Sequence, residues 1–415
     1  MTKLAVAAQV RAEDPRRDFA QAEVIGGIVL LAAVILALAW ANSPLSGSYE
    51  RLWATPLPLG VGPLTIDADL RHWVNEGLMA VFFFVVGLEI KRELVTGALR
   101  DARAAALPAM AAAGGVLLPA LLFTVIAGGG AASAGWGIPM ATDVAFAAGV
   151  LAVLGSRVPA GARLFLLSVA IVDDLIAITV IAVFYSAALA PGWLAVAGAG
   201  LAAVLGLRGL GVSRTWPYVV AGVAVWYAAY RSGVHATIAG AALALLTPAR
   251  PVRGHQVLAT LERRLHPVSA LLVVPLFALA NAGLDLRGGL LGQAAGSRLA
   301  WAVAVGLLAG KTLGIGAATL AAVRTGAGRL PPGIGAAQVW GVSMVAGIGF
   351  TVSLFITDLA YPAAALVDQA KVGIFVGSLA SGVLGVIVLR VTARSPAGTA
   401  GPSGYAGWPR RSARR

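Results

Sequence analysis

The chain of 415 residues contains no cysteine and few charged residues. The absence of cysteine excludes disulfides, iron–sulfur clusters and zinc sites built on thiolates. The four histidines are scattered and have no metal-ligand spacing. Only 12% of the residues are charged, about half the share usual in soluble domains, whereas 59% are hydrophobic. This composition excludes an ordinary soluble enzyme or a disordered chain as the main interpretation.

Long stretches of the chain lack any Asp, Glu, Lys or Arg, namely 24–49, 104–142, 175–207, 267–284, 330–357 and 372–389. About 20 apolar residues cross a bilayer as a helix, so most of these stretches hold one span and the longer ones hold two. We therefore expect an all-α polytopic membrane protein. Its twelve predicted transmembrane helices are 24–42, 72–95, 104–127, 136–155, 163–187, 191–207, 215–230, 233–248, 267–284, 299–323, 335–358 and 372–391.

The net charge of +13 follows the predicted topology. When the loops are assigned alternately to the two sides, one side holds 24 of the 31 Lys and Arg residues and the other holds 6, with Lys311 left inside a span. Cytoplasmic loops carry such an excess. Both termini are therefore predicted to be cytoplasmic, in a bacterial inner membrane, and no nucleic-acid partner is needed to explain the charge. The first span is expected to remain as an anchor, because the N-terminus lacks the features of a cleaved signal peptide.

Besides its spans, the chain has three segments with their own predictions, two that flank the membrane domain at 24–391 and one within it. Residues 1–23 are predicted to be a cytoplasmic segment, and the Pro-, Gly- and Arg-rich residues 392–415 a disordered cytoplasmic tail. Residues 49–71 alternate apolar positions with Gly and Pro, which indicates a short external β-hairpin. Because an isolated two-stranded hairpin is marginal in water, we expect it to pair with a second copy in a homodimer.

Four charged residues lie near the middle of predicted spans: Asp143, Asp173, Asp174 and Lys311. Each costs about 2.5–3.5 kcal/mol at a helix centre. An inert buried ion pair is the simplest alternative, but three acids against one lysine leave two acids unmatched. Carboxylate oxygens suit hard cations, and a buried carboxyl group can hold a proton near neutral pH. A site that accepts either a cation or protons is typical of an exchanger.

Lys311 stands out because the chain has 27 Arg and only 4 Lys. Arg stays protonated at any relevant pH, whereas a buried Lys can lose its proton. The choice of Lys suggests a titration or a breakable ion pair, although chance is an alternative. Asp173 and Asp174 point about 100° apart on a helix, so one can face a cation cavity while the other pairs with Lys311.

Two predicted spans are interrupted by glycine and proline. The fourth span follows the run GGGAASAGWG at 128–137 and has Pro139 and Thr142 just before Asp143, and the eleventh contains GIGFT at 347–351. Such residues can also mean tight helix packing or a gentle kink. Unwound backbone at membrane depth is tolerated where it lines a cavity or is buried in protein. Two such spans in corresponding halves favour a transport site.

Several motifs, in this order along about residues 20–391, resemble those of the NhaA family of bacterial sodium/proton antiporters. They are GLMAVFFFVVGLEIKRE (77–93), ATDVAF (141–146), AIVDDL (170–175), VHAT (234–237), PLFALANAG (275–283), GKTLG (310–314) and GIGFT (347–351). This family is itself a reference example of inverted repeats with broken helices. The resemblance implies twelve helices, with inverted repeats at about 104–187 and 299–391 and crossing of the interrupted spans four and eleven.

The resemblance also implies the activity and its residues. It implies electrogenic exchange of cytoplasmic Na⁺ or Li⁺ for external H⁺, more than one proton per ion, regulated by pH and without a cofactor. Asp173 and Asp174 would bind the metal cation, Na⁺, and would also carry protons. Asp143 and Thr142 would lie beside them. Lys311 would pair with Asp173 or balance the charge of the helix ends.

Family pH sensing involves charged groups at the cytoplasmic mouth, which correspond here to Glu89, Arg92, Glu93 and Glu262, and two histidines, His235 and His266. A solvated cluster at a helix end is an alternative for the first three of these residues. Two other function classes are alternatives. An intramembrane aspartyl protease would need its two aspartates on separate helices, and a sodium-coupled symporter would need a solute pocket that the sequence does not suggest.

Overall fold

The computed structural model describes residues 15–60, 62–186, 189–212, 214–252 and 256–392, and within them the chain is helical without a strand. The α-helices are α1 (Pro15–Ala41), α2 (Ser46–Trp53), α3 (Leu70–His72), α4 (Met79–Val95), α5 (Ala102–Ala127), α6 (Val144–Leu154), α7 (Ala160–Phe184), α8 (Pro191–Gly209), α9 (Trp216–Arg231), α10 (Ala236–Leu246), α11 (Val257–Val268), α12 (Val274–Asn281), α13 (Leu290–Gly296), α14 (Arg298–Val305), α15 (Lys311–Arg324), α16 (Ala336–Val345), α17 (Phe350–Ala360) and α18 (Ala364–Val391).

Three pairs of these helices are continuous through a π-helical turn. Trp73–Leu78 joins α3 to α4, Ser269–Val273 joins α11 to α12, and Gly306–Gly310 joins α14 to α15. A π turn inserts one extra residue into a helix and is frequent at functional sites. The turn at Gly306–Gly310 ends immediately before Lys311. Short 3₁₀ helices cover Gly62–Leu64, Ala98–Arg100, Ala131–Met140 and Gly155–Arg157.

Seven of the helices are long and apolar enough to cross a membrane, and the count rises to nine if each of two bent pairs is one span. The other three predicted spans, 72–95, 215–230 and 233–248, are also helical but do not count as candidate spans. The helices α9 and α10 have only 16 and 11 residues, and a π turn divides the helix at 72–95. The prediction of a polytopic, all-helical membrane protein is therefore confirmed. The number twelve stays a prediction.

Apolar side chains cover much of the outside of this helix assembly, and several charged ones lie inside it. Leu117, Leu121 and Leu379 are 70%, 59% and 70% exposed on long helices. In contrast, Asp173 and Lys311 are 1% and 0% exposed. Large contiguous apolar surfaces are rare on soluble monomers, so this surface fits contact with lipid chains.

One order of elements occurs twice in the chain: a long helix, a bent pair and another long helix. The first set is α5, the pair Ala131–Met140 with α6, and α7. The second set is Arg298–Arg324, the pair α16 with α17, and α18. The first helices of the two sets approach closely at Gly114 and Gly314, where a Cβ on either residue would overlap the carbonyl oxygen of the other. This order matches the predicted repeats, whose inverted relation stays a prediction.

The segment predicted as a β-hairpin forms isolated bridges and no extended strand. Antiparallel bridges join Pro56 to Asp69 and Leu59 to Ile66. Leu59 and Ile66 exchange two backbone hydrogen bonds, of 2.9 and 3.0 Å. The hairpin stays a prediction at this point. Most of the predicted N-terminal segment (1–14) and all but one residue of the predicted tail (393–415) lie outside the described residues.

Candidate ion-binding site

The backbone breaks of the two bent pairs lie against each other. The helices on either side of each break are bent by 40° at Ala141–Asp143 and by 48° at Ala346–Gly349. The Asp143 amide donates to the Ile348 carbonyl (2.6 Å), and the Thr142 hydroxyl donates to the Ala346 carbonyl (2.8 Å). These bonds satisfy backbone groups that the breaks leave without helical partners, as burial in an apolar surrounding requires. The contact therefore holds two unwound segments together inside the protein.

Asp143 is buried between the N-termini of two helices. Its Oδ1 accepts from the Phe146 amide at the start of α6 (3.0 Å). Its Oδ2 accepts from the Thr351 amide (3.0 Å) and the Thr351 hydroxyl (2.6 Å) at the start of α17. Helix N-termini carry partial positive charge, so both stabilise the carboxylate. Asp143 therefore has both oxygens occupied by protein donors.

Asp173 and Lys311 form an ion pair inside the helix assembly. Lys311 Nζ lies 2.5 Å from Asp173 Oδ2, and both side chains are buried. The other oxygen, Asp173 Oδ1, is buried without a hydrogen-bond partner. A buried carboxylate oxygen with no donor is costly, so this oxygen is available to a cation or a proton. The structure thus selects Asp173 as the partner of Lys311.

Asp174, the next residue on α7, is 8% exposed. Within the part of the chain that the structure describes, its carboxylate makes no hydrogen bond or ion pair. The ionisable groups whose charges act on it most strongly are Asp173, Glu89 and Lys311. The site therefore offers three carboxylate oxygens that no donor occupies: Oδ1 of Asp173 and both oxygens of Asp174.

Small residues let the Lys311 helix approach this centre closely. A Cβ added to Gly310 would meet Pro119 on α5, and one on Gly306 would meet Pro139 in the first broken pair. A Cβ on Gly115 would lie 3.7 Å from the Lys311 side chain. The glycines therefore let the Lys311 helix pack closely against α5 and the first broken pair.

No group of three His, Cys, Asp or Glu side chains among the described residues is arranged to hold a metal ion. The residues present nevertheless fit a weakly held, hard monovalent cation, because such ions take oxygen ligands that include backbone carbonyls and water. Asp173 Oδ1 and Asp174 would supply the charged ligands.

Most residues predicted to sense pH lie together, and one does not. Arg92 pairs with Glu93 (3.2 Å), with Glu89 (3.9 Å) and with Glu262 on α11. His266, one turn after Glu262, lies close enough to Arg92 to interact with its charge. These five residues connect the end of α4 to α11. Arg92 thus links the end of α4 to α11, while the side chains of Arg92 and Glu89 stay 36% and 29% exposed, and the role of this cluster in pH sensing stays a prediction.

His235 lies in a separate cluster with Glu76, a residue that the sequence analysis did not select. His235 Nε2 donates to the Tyr185 carbonyl (2.8 Å), because a carbonyl only accepts. Nδ1 lies 3.0 Å from Glu76 Oε1, so the two groups share one proton. Glu76 Oε2 accepts from the Ala236 amide (2.9 Å) at the start of α10. The signal in the sequence that could have revealed this cluster is Glu76 itself, an acid within the predicted span 72–95.

Two further charged residues, Asp358 and Lys371, also escaped the sequence analysis. They stand at the ends of predicted spans eleven and twelve, where a charge is ordinarily solvated. In the structure Lys371 is buried, and Asp358 accepts a hydrogen bond from Asn75 (3.2 Å). Their position at the span ends gave no signal in the sequence, because a charge there can reach water at little cost.

An all-helical membrane protein with two broken helices in contact, and with the carboxylates of Asp143, Asp173 and Asp174 buried around the ammonium of Lys311, belongs to the class of membrane transport proteins rather than enzymes. The family described as Na⁺/H⁺ antiporter 1 matches residues 17–389. The chain belongs to this family, which confirms the resemblance to NhaA antiporters.

Individual relatives agree with the family match. The chain is 48% identical over 407 residues to Na(+)/H(+) antiporter NhaA 3 of Frankia alni, covering 90% of this chain and 88% of the relative. It is 47% identical over 389 residues to Na(+)/H(+) antiporter NhaA 1 of Erythrobacter litoralis, covering 93% and 95%. It is 47% identical over 389 residues to Na(+)/H(+) antiporter NhaA of Bordetella parapertussis, covering 92% and 97%.

Proposed function

We propose that this chain is a secondary active transporter that exchanges cytoplasmic Na⁺ or Li⁺ for external H⁺. Its activity is electrogenic and regulated by pH, and it serves sodium and pH homeostasis. The relatives, which are named Na⁺/H⁺ antiporters, support the exchange. The observation that carries the proposal is the group of three unbonded carboxylate oxygens on Asp173 and Asp174 beside the buried ammonium of Lys311.

Each residue of the site has a proposed role. Asp174 and Asp173 Oδ1 bind the cation and, in its absence, protons. Lys311 balances the charge of Asp173 while the cation is away. Asp143 and Thr142 lie next to the cation, and their hydrogen bonds to the opposite break keep the two unwound segments in register. A movement of either bent pair would therefore change the surroundings of the carboxylates.

The proposed topology has twelve spans with both termini in the cytoplasm of a bacterial cell and the protein in its inner membrane. Spans four and eleven cross at their breaks, and the repeats at 104–187 and 299–391 are inverted. The repeated order of elements and the excess of basic residues on one side support this topology. The Arg92 cluster then lies at the cytoplasmic end, where pH regulation acts, and His235 with Glu76 contributes as a separate pair.

Measurement of the pH gradient across vesicle membranes tests the proposal. Everted vesicles from a strain without its own antiporters are energised until their interior is acid. Addition of Na⁺ or Li⁺ is expected to collapse part of the pH gradient, and K⁺ is expected to do little. No response to Na⁺ or Li⁺, with the protein present in the membrane, would refute the exchange. A response that required an organic solute would favour the symporter instead.

Competition between protons and Na⁺ predicts how affinity and current change with pH. Because both ions use the same carboxylate oxygens, the apparent Na⁺ affinity should fall as the pH falls, by about tenfold per pH unit for each competing proton. At high pH protons become scarce for the return step, so activity should be bell-shaped in pH. The readout is the current from proteoliposomes on a solid-supported membrane. An affinity constant across the active pH range would contradict shared occupancy.

The same recording tests stoichiometry. If two protons enter for each sodium ion that leaves, one net positive charge enters per cycle. A potential of 100 mV, negative inside, then drives the cycle by about 2.3 kcal/mol. We expect a transient current on Na⁺ addition whose sign reverses when the gradient is reversed. Electroneutral exchange, in which a pH-sensitive dye reports proton movement but no current flows, would refute the electrogenic part of the proposal. It would leave the exchange itself intact.

The hairpin segment is proposed to join two copies in a homodimer. Its side chains Leu57, Leu59 and Leu64 are 39%, 47% and 54% exposed outside the helix assembly. Apolar side chains on a marginal β segment favour burial against a second copy. Replacing residues 56–66 by a short Gly-Ser linker should shift the detergent-solubilised protein from dimer to monomer and spare exchange. An unchanged mass in light scattering would contradict this interface.

A further inference from the structure

A cavity of about 460 Å³ opens beside the hairpin segment, away from the Asp173–Lys311 pair in sequence and in its lining. The 56–69 segment, the first π turn, α9 and α17 all contribute to its wall. The lining residues that matter here are Asp67, Asp69, Arg71, His72, Asn75 and Asp358. One water molecule occupies about 30 Å³ in the liquid, so this volume can admit a small cation with its water shell.

Asp358, at the α17 side of this cavity, is held by a fixed amide. Asn75 donates from Nδ2 to Asp358 Oδ2 (3.2 Å). Asn281 donates to Asn75 Oδ1 (2.7 Å) and to the Phe277 carbonyl (3.0 Å), which fixes the orientation of both amides. The second oxygen, Asp358 Oδ1, has no hydrogen-bond partner among the described residues. This oxygen is therefore available to a ligand in the cavity.

The neighbouring cations balance the acids of this cavity only in part. Arg71 already pairs with Glu50 (3.1 Å). Lys371, 8% exposed on α18, is the cation that acts most strongly on Asp358, yet it makes no ion pair within 4.0 Å in the described chain. His72 Nε2 is buried without a hydrogen-bond partner. Three aspartates thus share the cavity with one paired arginine, which leaves negative potential that attracts cations.

We propose that this cavity is a second cation-binding site, in which Asp358 Oδ1 holds the transported Na⁺ or Li⁺ with part of its water at the external face. This inference rests on the proposed function and topology. α17 connects the two sites, since Thr351 at its start bonds Asp143 and Asp358 lies two turns further along. The cavity concentrates the ion on the side where the exchanger releases it, and it sets the external affinity.

The test measures Na⁺ affinity separately from the two faces. Right-side-out and everted vesicles expose opposite faces, and the half-saturating Na⁺ concentration is read from sodium-driven pH changes in each. For Asp358→Asn we expect about a fivefold higher half-saturating concentration from the external face and no change from the cytoplasmic face. Asp368→Asn removes the same charge near Lys371 but outside the cavity, and it should match the wild type on both faces.

Lys371→Gln should change the external half-saturating Na⁺ concentration in the opposite direction. This second variant keeps the test valid even if Asp358→Asn does not fold. Loss of this ammonium strengthens the negative potential at Asp358, so the half-saturating concentration from the external face should fall. Equal changes on both faces, or no change for either variant, would overturn the second site. A wild type that does not exchange Na⁺ from either face would instead refute the proposed function, so the two failures are distinguishable.

Discussion

Asp174→Asn is expected to abolish exchange, with a residual rate at least about a hundredfold below the wild type. The amide keeps the size of the side chain but carries neither a negative charge for Na⁺ nor a titratable proton. Insertion should not suffer, because the change removes a charge that costs about 2.5–3.5 kcal/mol at a helix centre. Sodium-driven collapse of the pH gradient in everted vesicles gives the rate, and immunoblotting of the membranes gives the amount of protein.

A matched control separates this effect from a general loss of negative charge. Asp285→Asn makes the same substitution in an exposed pair with Arg287, where an ion pair contributes little. That variant should exchange at the wild-type rate. Asp173→Asn should also be severe, because it removes the Lys311 partner together with one cation ligand. Wild-type exchange by Asp174→Asn at normal expression would show that the cation binds elsewhere.

The buried charges were predictable from the sequence because their cost is independent of tertiary structure. Asp143, Asp173, Asp174 and Lys311 are charges within apolar stretches, and the structure buries all four. The choice of Asp173 as the partner of Lys311 was not predictable from spacing. It depends on how α7 is rotated against the Lys311 helix, and the contact joins residues 138 positions apart.

The role of Asp143 shows the same limit of local reasoning. From the sequence it resembles a cation ligand, because it is an acid in a broken span. The structure gives its oxygens to the starts of two helices, one of them 208 positions away at Thr351. Glycine at 347 and 349 indicated a break in the eleventh span. Which carboxylate would cap the helix after that break depended on long-range packing.

Span lengths were less predictable than span order. Hydropathy separates the apolar stretches well. It does not reveal π turns, because a π turn is a change in backbone hydrogen bonding and has no hydropathy of its own. The turn at Trp73–Leu78 presents Asn75 to the cavity and Glu76 to His235, although the two residues are adjacent. Neighbours on any helix point about 100° apart, but which clusters they join depends on the packing of distant segments.

Lys311→Gln is expected to destabilise the folded protein strongly, by up to about 3–5 kcal/mol, and the double variant with Asp173→Asn should recover most of that loss. Lys311 is 0% exposed and is the one cation in direct contact with Asp173 among the described residues, so its removal leaves a buried carboxylate without compensation. In the double variant neither charge remains, and the two amides can bond each other. The stability of the wild type, the two single variants and the double variant is read from their melting temperatures in detergent.

Lys371→Gln is the matched control for this cycle, because it changes another buried lysine that has no ion-pair partner within 4.0 Å in the described residues. It should lower the melting temperature much less than Lys311→Gln. A coupling of the two changes at Asp173 and Lys311 is the signature of direct contact, since substitutions at independent sites add. If the losses of Asp173→Asn and Lys311→Gln simply added in the double variant, the ion pair would not be what holds these helices together at the site.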